Sequence, residues 1–224
     1  MSLPALYAVC IAALENETLY RAAYHAASPA RRLRTDRLRS PEDQRRALWA
    51  ELLLRYALRE NGVRFPEGFV IGEYGKPYLP GGELFFNLSH AGEWVVCAVS
   101  ASELGCDIER IGHGDINVAK RFFTAEEYAD IASKPSPEER AALFCRYWTL
   151  KESFLKATGR GLSLPLNSFS VRLGEKTTVI GTADEREFRF REYAAFPGYR
   201  CAVCARGEPP EGVCTLTPEM LIKL

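Results

Sequence analysis

The chain has 224 residues, a formal net charge of zero and a pI near 6.8, which excludes bulk electrostatic capture of nucleic acid or of an acidic membrane as its main activity. Hydrophobic residues make up 47% and charged residues 26%, ordinary for a globular protein with one large or two small cores. Its seven cysteines are odd in number and scattered mostly through apolar runs, which argues against a disulfide framework and for a reducing, cytoplasmic setting.

In chain order, "LPALYAVCIAAL" (3–14) reads as a first strand. It lacks the basic stretch of a signal peptide, and Glu15 and Glu17 follow it. No apolar run is long enough to span a membrane. Residues 16–27 and 29–38 read as helices. Ser40, Pro41 and Asp43 then form an N-cap, a first-turn proline and an acidic third position, predicting a helix over 41–60 that Asn61-Gly62 ends. After a turn-rich stretch with Gly75, Pro77, Pro80, Gly81 and Gly82, "LFFNLSH" (84–90) and "EWVVCAVS" (93–100) read as paired strands.

The second half repeats that outline. "LGCDIERI" (104–111) is a predicted strand and 124–134 a predicted helix. Ser136, Pro137 and Glu139 repeat the cap signature before a helix that runs to about Thr158. "SFSVRL", "TTVIGT", "EFRFREY" and "YRCAVCA" then read as strands. Cys201 and Cys204 in the last of these form a lone C-x-x-C, with no second pair or nearby His to complete a zinc site. The expected fold is α/β (α+β): two similar halves, 1–103 and 104–224, with a cleft between them as a natural ligand site.

Strand alternation puts Cys106 and Ile108 on one face and Asp107 and Glu109 on the other. Two carboxylates this close suit either a wet strand face or a hard cation such as Mg²⁺. In the long second-half helix, Tyr147, Leu150, Phe154 and Ala157 form an apolar stripe that can face the core. That leaves Lys151, Glu152 and Lys156 free to face a site, Glu152 as a third carboxylate and the lysines on phosphate oxygens; the plain alternative is a surface pair between Glu152 and Lys156. Ser89 and His90, at a strand end, are candidate phosphate donors or an ordinary hairpin turn. The arginines at 31, 32, 34, 37, 39, 45 and 46 are a solvated helix face or a set of phosphate forks. By spacing, "TAEE" is a capping box in which Glu127 bonds the Thr124 N–H.

Together "FNLSH", "GCDIE", "RFFTAEEY", "WTLKESFLKATGRGLSLPL" and "EYGKPYL" resemble the 4′-phosphopantetheinyl transferases, in particular the large surfactin-synthetase-activating (Sfp-like) group. The D-x-E, followed some forty residues later by W-x-x-K-E-x-x-x-K, is the most specific part. The resemblance implies two similar α/β halves as a pseudo-dimer within one monomeric chain, mostly antiparallel sheets each packed with a long helix, and coenzyme A between them. It implies transfer of 4′-phosphopantetheine from coenzyme A to a serine of an apo acyl, peptidyl or aryl carrier protein, with release of adenosine 3′,5′-bisphosphate. Fatty-acid, polyketide and nonribosomal-peptide carriers all remain open.

Site roles follow by position. The resemblance makes Asp107, Glu109 and Glu152 the ligands of Mg²⁺, or of Mn²⁺ in its place. It sets Lys151 and Lys156 near the pyrophosphate, Ser89 and His90 on a phosphate, and Gly75, Lys76 and Pro77 along the adenine. Arg46 falls on the 3′-phosphate, and Arg31 and Arg34 fall where relatives carry Lys. Glu127 matches the family's general base, against its capping-box spacing. The competing readings are another Mg²⁺-dependent phosphate or nucleotide enzyme, and a non-catalytic binder of coenzyme A or carrier protein.

Overall fold

The computed structural model describes residues 3–12, 17–112, 116–182 and 187–223; parts of the expected first strand and first helix, at 13, 14 and 16, lie outside them. The first half comprises β1 (Ala5–Cys10), α1 (Glu17–Ala26), α2 (Pro29–Thr35), α3 (Pro41–Glu60), β2 (Val70–Ile71), β3 (Pro77–Tyr78), β4 (Phe85–Ala91) and β5 (Trp94–Ser100). Then come β6 (Leu104–Arg110), α4 (Ile116–Phe122), α5 (Ala125–Ala132), α6 (Pro137–Thr158), β7 (Ser170–Arg172), β8 (Thr178–Ile180), β9 (Arg189–Glu192), β10 (Tyr199–Ala205), β11 (Val213–Leu216) and α7 (Pro218–Ile222).

The two long helices start where their caps dictate. Ser40 accepts from the Asp43 N–H ahead of α3, and a full Ser136–Glu139 capping box opens α6. Gly159, left-handed at φ 70°, ends α6. Two sheets carry the fold. One has the order β11-β1-β5-β4 and the other β6-β10-β9. Pairing is antiparallel except that β11 runs parallel to β1.

Period-two alternation builds the layers. Tyr7 and Val9 of β1 and Val95, Cys97 and Val99 of β5 pack with Leu48 and Leu52 of α3. The opposite faces, Leu6, Ala8, Val96 and Ala98, meet Cys106 and Ile108 of β6 and Val203 of β10, so the sheets pack on one another. The far face of the second sheet, Ala202 and Cys204, takes Leu150 and Phe154 of α6. α3 and α6 are thus the outer layers. Within this arrangement α6 lies unusually close to β6. A Cβ at Gly105 would collide with the α6 backbone at Ser153 and Ala157, so only glycine admits the helix there. No helix among the described residues is long and apolar enough to cross a membrane.

Candidate active site

Three elements distant in sequence converge on one hydrogen-bonded group. Lys156 Nζ of α6 lies 2.6 Å from Asp107 Oδ1 of β6 and 3.2 Å from Ser89 Oγ of β4. Ser89 Oγ also donates to Asp107 Oδ1 at 2.8 Å. The register behind this is set by Asn87, whose Oδ1 accepts from the Cys106 N–H at 2.9 Å and stitches β4 to β6. The face predicted for Asp107 is therefore the one observed, turned from the sheet core toward α6.

The electrostatics are those of crowded carboxylates under one ammonium. Burial raises the pKa of Asp107, with Lys156 pulling against it. Burial, then the Asp107 and Glu152 charges, push Glu109 up to about 7, while Lys156 and a hydrogen bond from Trp148 oppose the rise. Glu152 is raised by burial and by Asp107. Burial works against the charge on Lys156, but Asp107 outweighs it and the ammonium is held more firmly than in water. His90, exposed at its strand end but crowded on one side, is lowered by burial and by the positive charges of Arg46 and Lys156, with a backbone hydrogen bond opposing the shift.

Whether this group fits a cation is decided by Asp107 Oδ2, which is buried and has no hydrogen-bond partner. A buried carboxylate oxygen left unpaired is costly and calls for a positive partner. The nearby oxygens of Glu109 and Glu152 are hard donors of the kind Mg²⁺ takes, and each is ionised more easily beside a cation. Among the described residues no three His, Cys, Asp or Glu side chains are grouped closely enough to hold a metal as they stand. The donor set fits the ion in chemistry.

Around this centre lie the other expected contacts. A cavity of about 230 Å³ is lined by Gly75, Lys76 and Pro77 together with Asn87, Glu152 and Lys156, joining a first-half turn to the α6 face. A second, also about 230 Å³, is lined by Arg45, Arg46, Gly92 and Arg110. Arg46 there bonds the Gly92 carbonyl and pairs with Glu42 and Asp43. Arg31 and Arg34 line a separate cavity of about 620 Å³ with Arg55, Phe65 and Phe69, where Arg31 pairs with the buried Glu51 at 3.3 Å. They do not share the Arg46 cavity.

Burial bears on three of the expected site residues. Lys151 does not face a ligand: its side chain is 0% exposed, pairs with Glu127 Oε2 at 2.9 Å, and donates to the carbonyls of Leu166 and Phe169. Glu127 is equally enclosed. It closes the capping box on the Thr124 N–H, accepts from the Val171 N–H at 2.7 Å and is 2% exposed. The spacing-based reading is the one the structure supports. Lys76 lies on the cavity wall with Gly75 and Pro77, while its ammonium points inward under the end of α6.

Gly105 and Asn87 shape the site without having been given a role by sequence, whereas Trp148, which bonds Glu109, is the first residue of the W-x-x-K-E-x-x-x-K motif. A glycine just before the acidic pair was the one available signal, since a strand interior otherwise disfavours it.

A family model described as the 4′-phosphopantetheinyl transferase superfamily matches residues 103–204, which include β6 and the whole of α6. The chain is 43% identical over 185 residues to a 4′-phosphopantetheinyl transferase of Bacillus subtilis, covering 80% of this chain and 82% of that protein. It is 38% identical over 205 residues to 4′-phosphopantetheinyl transferase Sfp of Bacillus subtilis strain 168, covering 87% and 89%. Among solved structures it is similar to the holo-[acyl-carrier-protein] synthase of Thermotoga maritima, at 17% identity and a TM-score of 0.39 over 46% of this chain and 62% of that one. The hydrogen-bonded Lys156–Asp107–Ser89 group lies in a chain that belongs to the 4′-phosphopantetheinyl transferase family.

Proposed function

We propose that this transferase takes coenzyme A as donor and moves its 4′-phosphopantetheine onto a serine hydroxyl of an apo carrier protein, releasing adenosine 3′,5′-bisphosphate. The observation that carries the reading is the meeting of Ser89, Asp107 and Lys156 beside a cavity walled by Gly75–Pro77 and Glu152. A pyrophosphate needs positive charge, hydroxyl or amide donors and a hard cation, and the site offers the first two directly. Asp107, with Glu109 and Glu152, would hold Mg²⁺. When bound, that ion supplies Lewis-acid charge neutralisation at the phosphoryl oxygens.

The chain's own residues do the rest. Lys156, kept protonated by Asp107, carries a fixed positive charge toward the oxygen that leaves with the bisphosphate. Ser89 and His90 at the end of β4 orient phosphate oxygens. The serine oxygen bonds to phosphorus as the bond to the leaving bisphosphate breaks. The serine proton leaves to a water or carboxylate oxygen lining the cleft, since Glu127 of α5 is turned inward with both oxygens hydrogen-bonded.

The test is mass spectrometry of several apo carrier proteins incubated with the enzyme, coenzyme A and Mg²⁺. The expected result is a gain of one phosphopantetheine on the carrier serine, abolished by EDTA and by Asp107→Ala. Release of adenosine bisphosphate without carrier modification would replace this reading with that of a hydrolase.

A further inference from the structure

The end of α6 is held in a way that neither capping nor core packing accounts for. A helix leaves its last four carbonyls without intrahelical donors. Here Leu155 O takes the Thr158 hydroxyl at 3.1 Å. The next two, Lys156 O and Ala157 O, take Lys76 Nζ at 2.6 and 3.3 Å. The same nitrogen donates to Leu104 O, at the first residue of β6, at 2.9 Å. All three ammonium protons are thus committed to carbonyls, in a side chain only 8% exposed. The space is reserved for it: a Cβ at Gly159 would meet the Tyr78 hydroxyl at 2.7 Å and the Lys76 stem at 3.4 Å. Burial lowers the Lys76 pKa to about 8, which leaves the ammonium charged at neutral pH and favourably placed at a helix C-terminus.

We infer that Lys76 is a positioning residue for α6: its ammonium clamps the last turn of that helix to the start of β6, and so fixes where Lys156 Nζ meets Asp107. The inference rests on the proposed transfer reaction for its effect on rate, though not for its structural content. Lys156 is itself one of the clamped residues, so a shift of its carbonyl is a shift of its own backbone. The segment that carries Lys76 also walls the cavity beside Glu152 and Lys156, so the wall and the helix are held by one side chain.

The experiment compares wild type with Lys76→Met by amide hydrogen exchange, coenzyme A calorimetry and single-turnover transfer. In the variant, peptides covering residues 150–160 should exchange at least about tenfold faster, as expected for loss of charged hydrogen bonds, while α3 peptides are unchanged. The transfer rate should fall at least about tenfold from misplacement of Lys156, by a larger factor than any loss of coenzyme A affinity. A tenfold loss of coenzyme A affinity with unchanged exchange at the end of α6 would make Lys76 a ligand and overturn the inference. Acceleration throughout α3 as well as α6 would reduce it to a general stability role and overturn it equally. If Lys76→Met fails to fold, Lys76→Gln, which keeps two donors, should give intermediate exchange and intermediate rate; wild-type behaviour on both counts sinks the idea. If wild type itself neither binds coenzyme A nor modifies a carrier, the proposed function falls, and the exchange data still decide the role of Lys76.

Discussion

At the scale of single residues, protonation is the most sensitive reporter of the site. Glu109 is held at about 7 in the folded chain against an ordinary value of 4.5. Between those values the unfolded chain has already released a proton that the folded chain keeps. The unfolded state therefore binds fewer protons, and stability falls as pH rises through that window. Thermal melts in EDTA should show Tm declining from pH 5 to 8, a decline that Glu109→Gln makes shallower and Mg²⁺ offsets. Equal slopes for the variant and wild type in EDTA would mean Glu109 is not the titrating group. Glu127 makes the opposite kind of claim, one of stability rather than charge at a reaction centre. Glu127→Gln can still bond the Thr124 N–H, but it strands the fully buried Lys151 ammonium. Removing one partner of such a pair costs about 3–5 kcal/mol, which for a chain of this size lowers Tm by roughly 6–20 °C. The expected outcome is a large Tm loss, partly recovered by Glu127→Gln/Lys151→Met, with transfer near wild type below the melt. An unchanged melt with a hundredfold slower transfer would restore Glu127 as the base.

Between elements, the decisive distance is that of α6 from β6. Gly105→Ala puts a methyl into the α6 backbone, and overpacking of that kind costs about 1–3 kcal/mol. Because the displaced turn carries Ser153, Lys156 and Ala157, transfer should drop about tenfold to a hundredfold while coenzyme A still binds. Wild-type turnover by a stable Gly105→Ala would show that Lys156 tolerates the shift. This element-level geometry also marks what the sequence made legible. Caps placed α3 and α6 at their observed starts, because a serine side chain and the amide it bonds are only three residues apart. Alternation oriented Asp107, because a strand has only two faces. The Lys151 environment was illegible, since its partners at 127, 166 and 169 come from two other segments, and an i,i+4 pattern knows nothing of them. Lys76 was hidden for the same reason, its acceptors lying 28, 80 and 81 residues away. The short α4 and α7, and β11, were missed because four to seven residues carry too little periodicity to stand out from loop sequence.

Across the whole molecule, the chain closes on itself. β11 lies beside β1 in register Leu6↔Val213 to Val9↔Leu216, and α7 buries Leu221 in the first-half core with Leu216. Burying two leucines is worth about 1.5–3 kcal/mol each, so a chain ending at Gly212 should melt about 6–24 °C lower. A truncation that melts like wild type would show that β11 merely decorates the edge. The parallel pairing has a further consequence, in the order of synthesis. β1 is made almost the whole chain before its neighbour β11. Until residue 216 leaves the ribosome, β1 exposes a row of unpaired amides and carbonyls to any other strand in reach. Nascent chains of this protein are therefore prone to chaperone capture or edge-to-edge aggregation throughout the interval between the synthesis of β1 and that of β11. The closing step spans so much sequence that it is also among the slower ones in folding.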